Sequence, residues 1–174
     1  MSRIRSTIGL LTAICAAVIM SFIIPTTAHA ANGNQLLARG TVTEQVPGGN
    51  WNIEFGIHAR GNGNSSSITV RNPNETFTFR GSLCAGTYTD PNFGGTTVFV
   101  VGPQTSYTGN GASNRPYYGF KVHKVAPNSA DFAWVNINIT SLSQAQSVCA
   151  DPATAMSASS FPVIAANVLW KVDP

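Results

Sequence analysis

Apolar and polar residues alternate with a period of two along most of the chain beyond residue 36, the spacing of strands with one face buried. In Trp51-Asn52-Ile53-Glu54-Phe55-Gly56-Ile57-His58, the residues Trp51, Ile53, Phe55 and Ile57 share one face, and Asn52, Glu54 and His58 share the other. Pro47-Gly48-Gly49-Asn50 separates this strand from another over Leu37 to Val46. Gly61 to Asn64 reads as a turn, Ser67 to Arg71 as a short strand, and Asn72-Pro73-Asn74 as a turn into a strand over Thr76 to Arg80. Thr87 to Gly95 is looser and carries turn pairs at Asp90-Pro91 and Gly94-Gly95, after which Thr96 to Val101 is an apolar strand. Tyr117 to Val125 alternates, Ala126-Pro127-Asn128-Ser129 turns, and Phe132 to Ile139 alternates again.

Four segments break the cadence. Ser106 to Arg115 is polar and glycine-rich and reads as a long exposed loop. Ser141 to Cys149 has room for about two turns of helix, Asp151 to Ser160 reads as a connecting segment, and Val163 to Val172 as the last strand. The pattern predicts a single all-β domain over residues 31–174: an antiparallel sandwich or barrel of about eight strands with at most one short helix. Alternation does not choose between sandwich and barrel. Arg-Gly recurs at Arg39, Arg60 and Arg80, which is hairpin rhythm rather than a repeat.

The first thirty residues have a different character. Arg3 and Arg5 precede an apolar run from Ile8 to Ile24, Pro25 ends it, and Ala28-His29-Ala30 supplies the small-x-small pattern of a signal-peptidase site. This predicts a cleaved signal over residues 1–30 and a secreted or extracytoplasmic domain, with no membrane contact after cleavage. An uncleaved anchor is the rival, because the run is near the lower length for spanning a bilayer. Cys15 lies inside the run and reads as one more apolar residue, not a lipid attachment site.

Removing that segment changes the charge and the cysteine count. Of ten Lys and Arg, two leave with it, so eight bases face seven acids. The bases are scattered along the sequence, so no basic run points to nucleic acid, and partners are expected to be neutral. Cys84 and Cys149 remain as one pair, which an oxidising compartment would join, the alternative being two buried thiols. Two cysteines and the separated His58 and His123 lack zinc-ligand spacing, and neither a metal nor another cofactor is expected.

The order Arg39-Gly40-Thr41-Val42, Phe79-Arg80-Gly81-Ser82-Leu83-Cys84, Gly95-Thr96-Thr97-Val98-Phe99-Val100 and Gly119-Phe120-Lys121-Val122, followed by Pro127 and Asp131, resembles a type of small exported all-β domain found in many bacterial proteins. The resemblance spans the first two-thirds of residues 31–174 and implies the fold but no activity.

The chemistry the residues offer favours binding over catalysis. Glycoside hydrolysis needs two facing carboxylates, and Glu44 and Glu54 flank one predicted turn, although outward charges on a solvated sheet face account for both. A Ser-His-Asp triad would have to recruit His58 or His123, and no Gly-x-Ser-x-Gly elbow is present. Each histidine reads instead as an outward-facing structural residue. Aromatic rings stack on sugars, and Trp51, Tyr88, Tyr107, Tyr117, Tyr118 and Trp134 are available. Trp51 and Trp134 are in phase with core residues. Of the tyrosines, Tyr107, Tyr117 and Tyr118 stand beside the Ser106 to Arg115 loop and are the candidate ligand contacts. The expectation is a non-catalytic exported β module, its ligand a neutral glycan or other cell-surface component; the alternative is a small secreted hydrolase using the paired carboxylates Glu44 and Glu54.

Overall fold

The computed structural model describes residues 35–59, 66–110, 114–136, 138–156 and 161–172. The predicted signal with its Ala28-His29-Ala30 site, the turn over residues 61–64 and the middle of the Ser106 to Arg115 loop lie outside the described residues.

Among the described residues nine strands follow one another as β1 (Leu36–Val46), β2 (Gly49–His58), β3 (Ser67–Arg71), β4 (Glu75–Arg80), β5 (Cys84–Asp90), β6 (Gly94–Gly109), β7 (Tyr117–Ala126), β8 (Ser129–Asn136) and β9 (Phe161–Trp170). All pairings are antiparallel, in the order β4-β3-β2-β1-β9-β8-β7-β6-β5, and β4 also pairs with β6. That last pairing closes the ring, so of the two architectures left open by the alternation the chain takes the barrel. Closure depends on the length of β6. Its first part pairs with β5 and β7, and its last residues, Gln104 to Gly109, pair with β4. Thus β4 and β5 lie end to end along one strand, with the bend at Gly81, where φ is 80° and the left-handed region favours glycine.

Inward-facing Val42, Ile53, Phe55, Ile68, Val70, Phe77, Phe79, Val98, Val100, Phe120, Val122 and Val168 fill the barrel. A second, smaller core lies outside it, where Tyr88, Phe99 and Val101 on β5 and β6 meet Ala145, Val148, Ala153 and Met156 of two short helices. The run Val98-Phe99-Val100-Val101 is therefore apolar on both faces because both are covered, one by the barrel and one by the helices.

The first helix, α1 (Leu142–Ala150), matches the predicted turns. Ser141 caps it by accepting from the Gln144 amide at 3.2 Å. The second, α2 (Pro152–Ala155), falls in the segment read as a connection and starts with proline at its first turn, capped by Asp151. A disulfide between Cys84 and Cys149 ties the end of α1 to the start of β5. Two local readings are corrected. Thr87 to Asp90 continues β5 instead of loosening, because Tyr88 packs under the helices. Ser106 to Gly109 is strand, held by Glu75, Thr76, Phe77 and Thr78 of β4, so the connection to β7 is shorter than the glycines suggest.

Candidate functional site

Strand parity separates the two carboxylates that a hydrolase would need. Glu44 pairs with Trp51 and points inward, whereas Glu54 pairs with Thr41 and points outward. Glu54 makes an exposed ion pair with Arg71 at 3.5 Å. Glu44 is fully buried, with neither oxygen hydrogen-bonded among the described residues, and burial pushes its carboxyl up to about 8. The outward, solvated placement read for Glu44 is thus overturned: its even parity in β1 matches Val42, a core residue. The two groups face opposite sides of one sheet and cannot flank one substrate.

A cleft of about 250 Å³ opens at the end of the barrel next to Glu44, between the β1–β2 turn and the β3–β4 turn. Pro47, Trp51, Asn72, Asn74 and Glu75 line it. Asn72 organises one wall. Its Oδ1 accepts from the Asn74 and Glu75 amides at 2.9 and 3.0 Å, and its Nδ2 donates to Glu75 Oε1 at 3.2 Å. The other oxygen, Glu75 Oε2, accepts from the Tyr107 hydroxyl at 3.1 Å. Trp51 is half-buried, its inner edge set against Phe77 with ring centroids 6.0 Å apart and planes at 82°. The Asn110 amide donates to the Asn74 carbonyl at 3.3 Å, so the connection after β6 starts at this cleft.

The three candidate tyrosines go to three places. Tyr107 reaches the cleft through Glu75. Tyr118 is fully buried inside the barrel, stacked on Phe77 at 4.7 Å and on Phe79 at 6.0 Å, and burial raises its phenol above the ordinary tyrosine range. Tyr117, of opposite parity, packs half-buried against the helix-covered core. Trp51, assigned from its phase to the core, is the aromatic residue that lines the cleft, and its position beside the turn glycines was the available signal.

A second polar cluster lies on the outer face of β5 to β8. His123 is buried, with Nδ1 2.7 Å from Asp131 Oδ1, Nε2 2.8 Å from the Gly94 carbonyl, and its ring stacked on Phe132 at 4.4 Å. The nitrogen that would activate a nucleophile is occupied by a backbone oxygen, so the pair holds the β5–β6 turn to the β7–β8 hairpin and does not form a triad. Lys121 is also fully buried, with Nζ 5.3 Å from the Phe132 ring centre and 5.9 Å from that of Trp134. Burial lowers its pKa, and the Asp90 charge opposes that shift. Sequence reading placed His123 on an outward structural face. The outward direction holds, but Phe93 and Phe132 surround it. Among the described residues no group of three or more His, Cys, Asp or Glu side chains could hold a metal ion, and no helix is long and apolar enough to cross a membrane.

Comparison with protein-family models, with curated proteins and with solved structures finds no match.

Proposed function

We propose that residues 31–174 form an exported, non-catalytic binding module, and that its ligand is a neutral, hydroxyl-rich molecule such as a glycan, taken up at the Trp51 cleft. The observation that carries this reading is the cleft's composition: a half-buried indole beside Asn72 and Asn74, with one carboxylate, Glu75, fixed by Asn72 and Tyr107. A flat ring gives a stacking face, and oriented oxygens with amides give acceptors and donors for hydroxyls. Among the described residues that line the cleft Glu75 is the carboxylate, and it already takes two hydrogen bonds, which suits a fixed acceptor better than a catalytic acid or base. Export is supported by the signal-like first thirty residues and by the disulfide. Intact mass of the exported protein, expected to begin at Ala31, tests the cleavage.

Neutral soluble glycans and cell-wall polysaccharides, titrated while tryptophan fluorescence is followed, test the binding. A ligand should shift the emission, and Trp51→Ala and Tyr107→Phe should weaken binding while circular dichroism shows the barrel still folded. Binding untouched by both substitutions would move the site elsewhere, and turnover lost in Glu44→Gln or Glu54→Gln would restore the hydrolase.

A further inference from the structure

The outer face of β1 to β4 is a polar grid whose rows follow from the register. One row runs Arg39, Gly56, Ser67, Arg80; the next Thr41, Glu54, Thr69, Thr78; the third Thr43, Asn52, Arg71, Thr76. None of these twelve positions carries an apolar side chain. The first row places an arginine at each end, their backbones about 14 Å apart at three interstrand spacings, with glycine and serine between them. An added Cβ at Gly56 would meet nothing within 4 Å among the described residues, and a groove of about 410 Å³ is lined by Arg39, Gly56, Ser67 and Arg80 together with the paired Glu54 and Arg71, three bases against one acid. Arg71 is matched by Glu54, while Arg39 and Arg80 are exposed and make no ion pair among the described residues.

We propose that this groove is a second binding site, for an acidic polysaccharide. Its charge is the complement of a carboxylated or sulfated chain, and forked guanidinium donors suit such oxyanions. The serine and threonine floor suits the hydroxyls between the charges. The side chains of the three rows are polar, which suits a hydroxyl-rich chain better than a lipid tail or a nucleobase. The bases look scattered in the sequence because pairing, not sequence distance, brings Arg39 and Arg80 into one row.

Affinity electrophoresis of the folded protein through gels containing polygalacturonate, heparin or neutral dextran tests the site independently of the Trp51 cleft. At least one acidic polymer should retard the protein and dextran should not. Arg39→Gln and Arg80→Gln should each weaken retardation, and the double substitution should weaken it roughly tenfold or more. Lys124→Gln, an equal charge change on another part of the barrel, should have little effect. Indifference to both acidic polymers, unchanged retardation of the double variant, or an equal loss in Lys124→Gln would overturn the proposal. Retardation by polyglutamate as strong as by either acidic polysaccharide, with the same arginine dependence, would assign the groove to an acidic peptide instead.

Discussion

Glu44 stands directly opposite Trp51 across the first hairpin, and the two side chains enter the barrel together. The carboxyl has no hydrogen-bond partner there among the described residues, and its folded-state value of about 8 lies above the ordinary 4.5. Between those values the folded protein holds a proton that the unfolded chain has released. Stability from this group is therefore fully present below the ordinary value and is lost as pH rises toward 8, by on the order of 5 kcal/mol at most. Lys121, lowered by burial, has the opposite slope: its contribution to stability increases with pH below the ordinary lysine value. Comparing variant with parent at each pH isolates Glu44. Urea unfolding should show the parent losing stability from pH 5 to 8, with Glu44→Gln flatter and the more stable of the two at pH 8. Parallel curves would mean that Glu44 ionises normally.

The Cys84–Cys149 bond closes a separation of 65 residues and links the outer helices to the barrel. On the chain-entropy model a loop of this length contributes about 4 kcal/mol. Cys84→Ser with Cys149→Ser should lower urea stability by up to that amount. Hydrogen exchange should quicken most in α1 and α2, because the barrel core does not include them. Thiol titration of the unfolded, unreduced protein should find no free sulfhydryl apart from Cys15 where that residue is retained. Exchange that quickens equally in β1 and β2 would show that the staple supports the whole barrel.

Much of this arrangement was readable because strands with one dry face write themselves in alternation. Trp51 to His58 gave both the strand and its inward face, and Ser141 with the residues after it gave a capped helix. Barrel closure was not readable, since it depends on Gln104 to Gly109 pairing with β4, and that polar stretch looks like a loop until its partner is known. At Glu44 parity, not charge, decides the side: it shares the inward face with Val42. The cleft is half legible: Tyr107 stands out beside a polar stretch, but Trp51 sits on the core face at the barrel's end, where the same phase leaves part of the ring open. The Arg39–Arg80 row needed four strands in register, which no one-dimensional pattern contains.

Gly40 lies where β9 passes closest to β1. Its φ is 153°, and an added Cβ would collide with the Asn167 carbonyl and the Val168 backbone. The obstruction is backbone, which cannot rotate away as a side chain could. Gly40→Ala should therefore force the β1–β9 ladder apart and cost roughly 2 kcal/mol or more. Denaturant midpoints measure the loss, and amide exchange at Thr41 and Val168 locates it. A loss under about 0.5 kcal/mol, the ordinary range for harmless substitutions, would show that the seam yields easily.

Lys121 is buried against Phe132 and Trp134 with no hydrogen bond to its ammonium among the described residues. Attraction to the rings supplies about 0.5–2 kcal/mol, while burying a charge without a hydrogen-bonded partner costs more. Asp90 offers little compensation. It is not within ion-pair distance of Lys121, and its Oδ1 is held by the Asn92 and Phe93 amides at 2.9 and 3.2 Å. Lys121→Met keeps the length and the apolar stem and removes the charge, so it should stabilise the domain by about 1–3 kcal/mol near neutral pH. A double-mutant cycle with Asp90→Asn should give a coupling below about 1 kcal/mol. Destabilisation by Lys121→Met with a larger coupling would show instead that the two charges depend on each other.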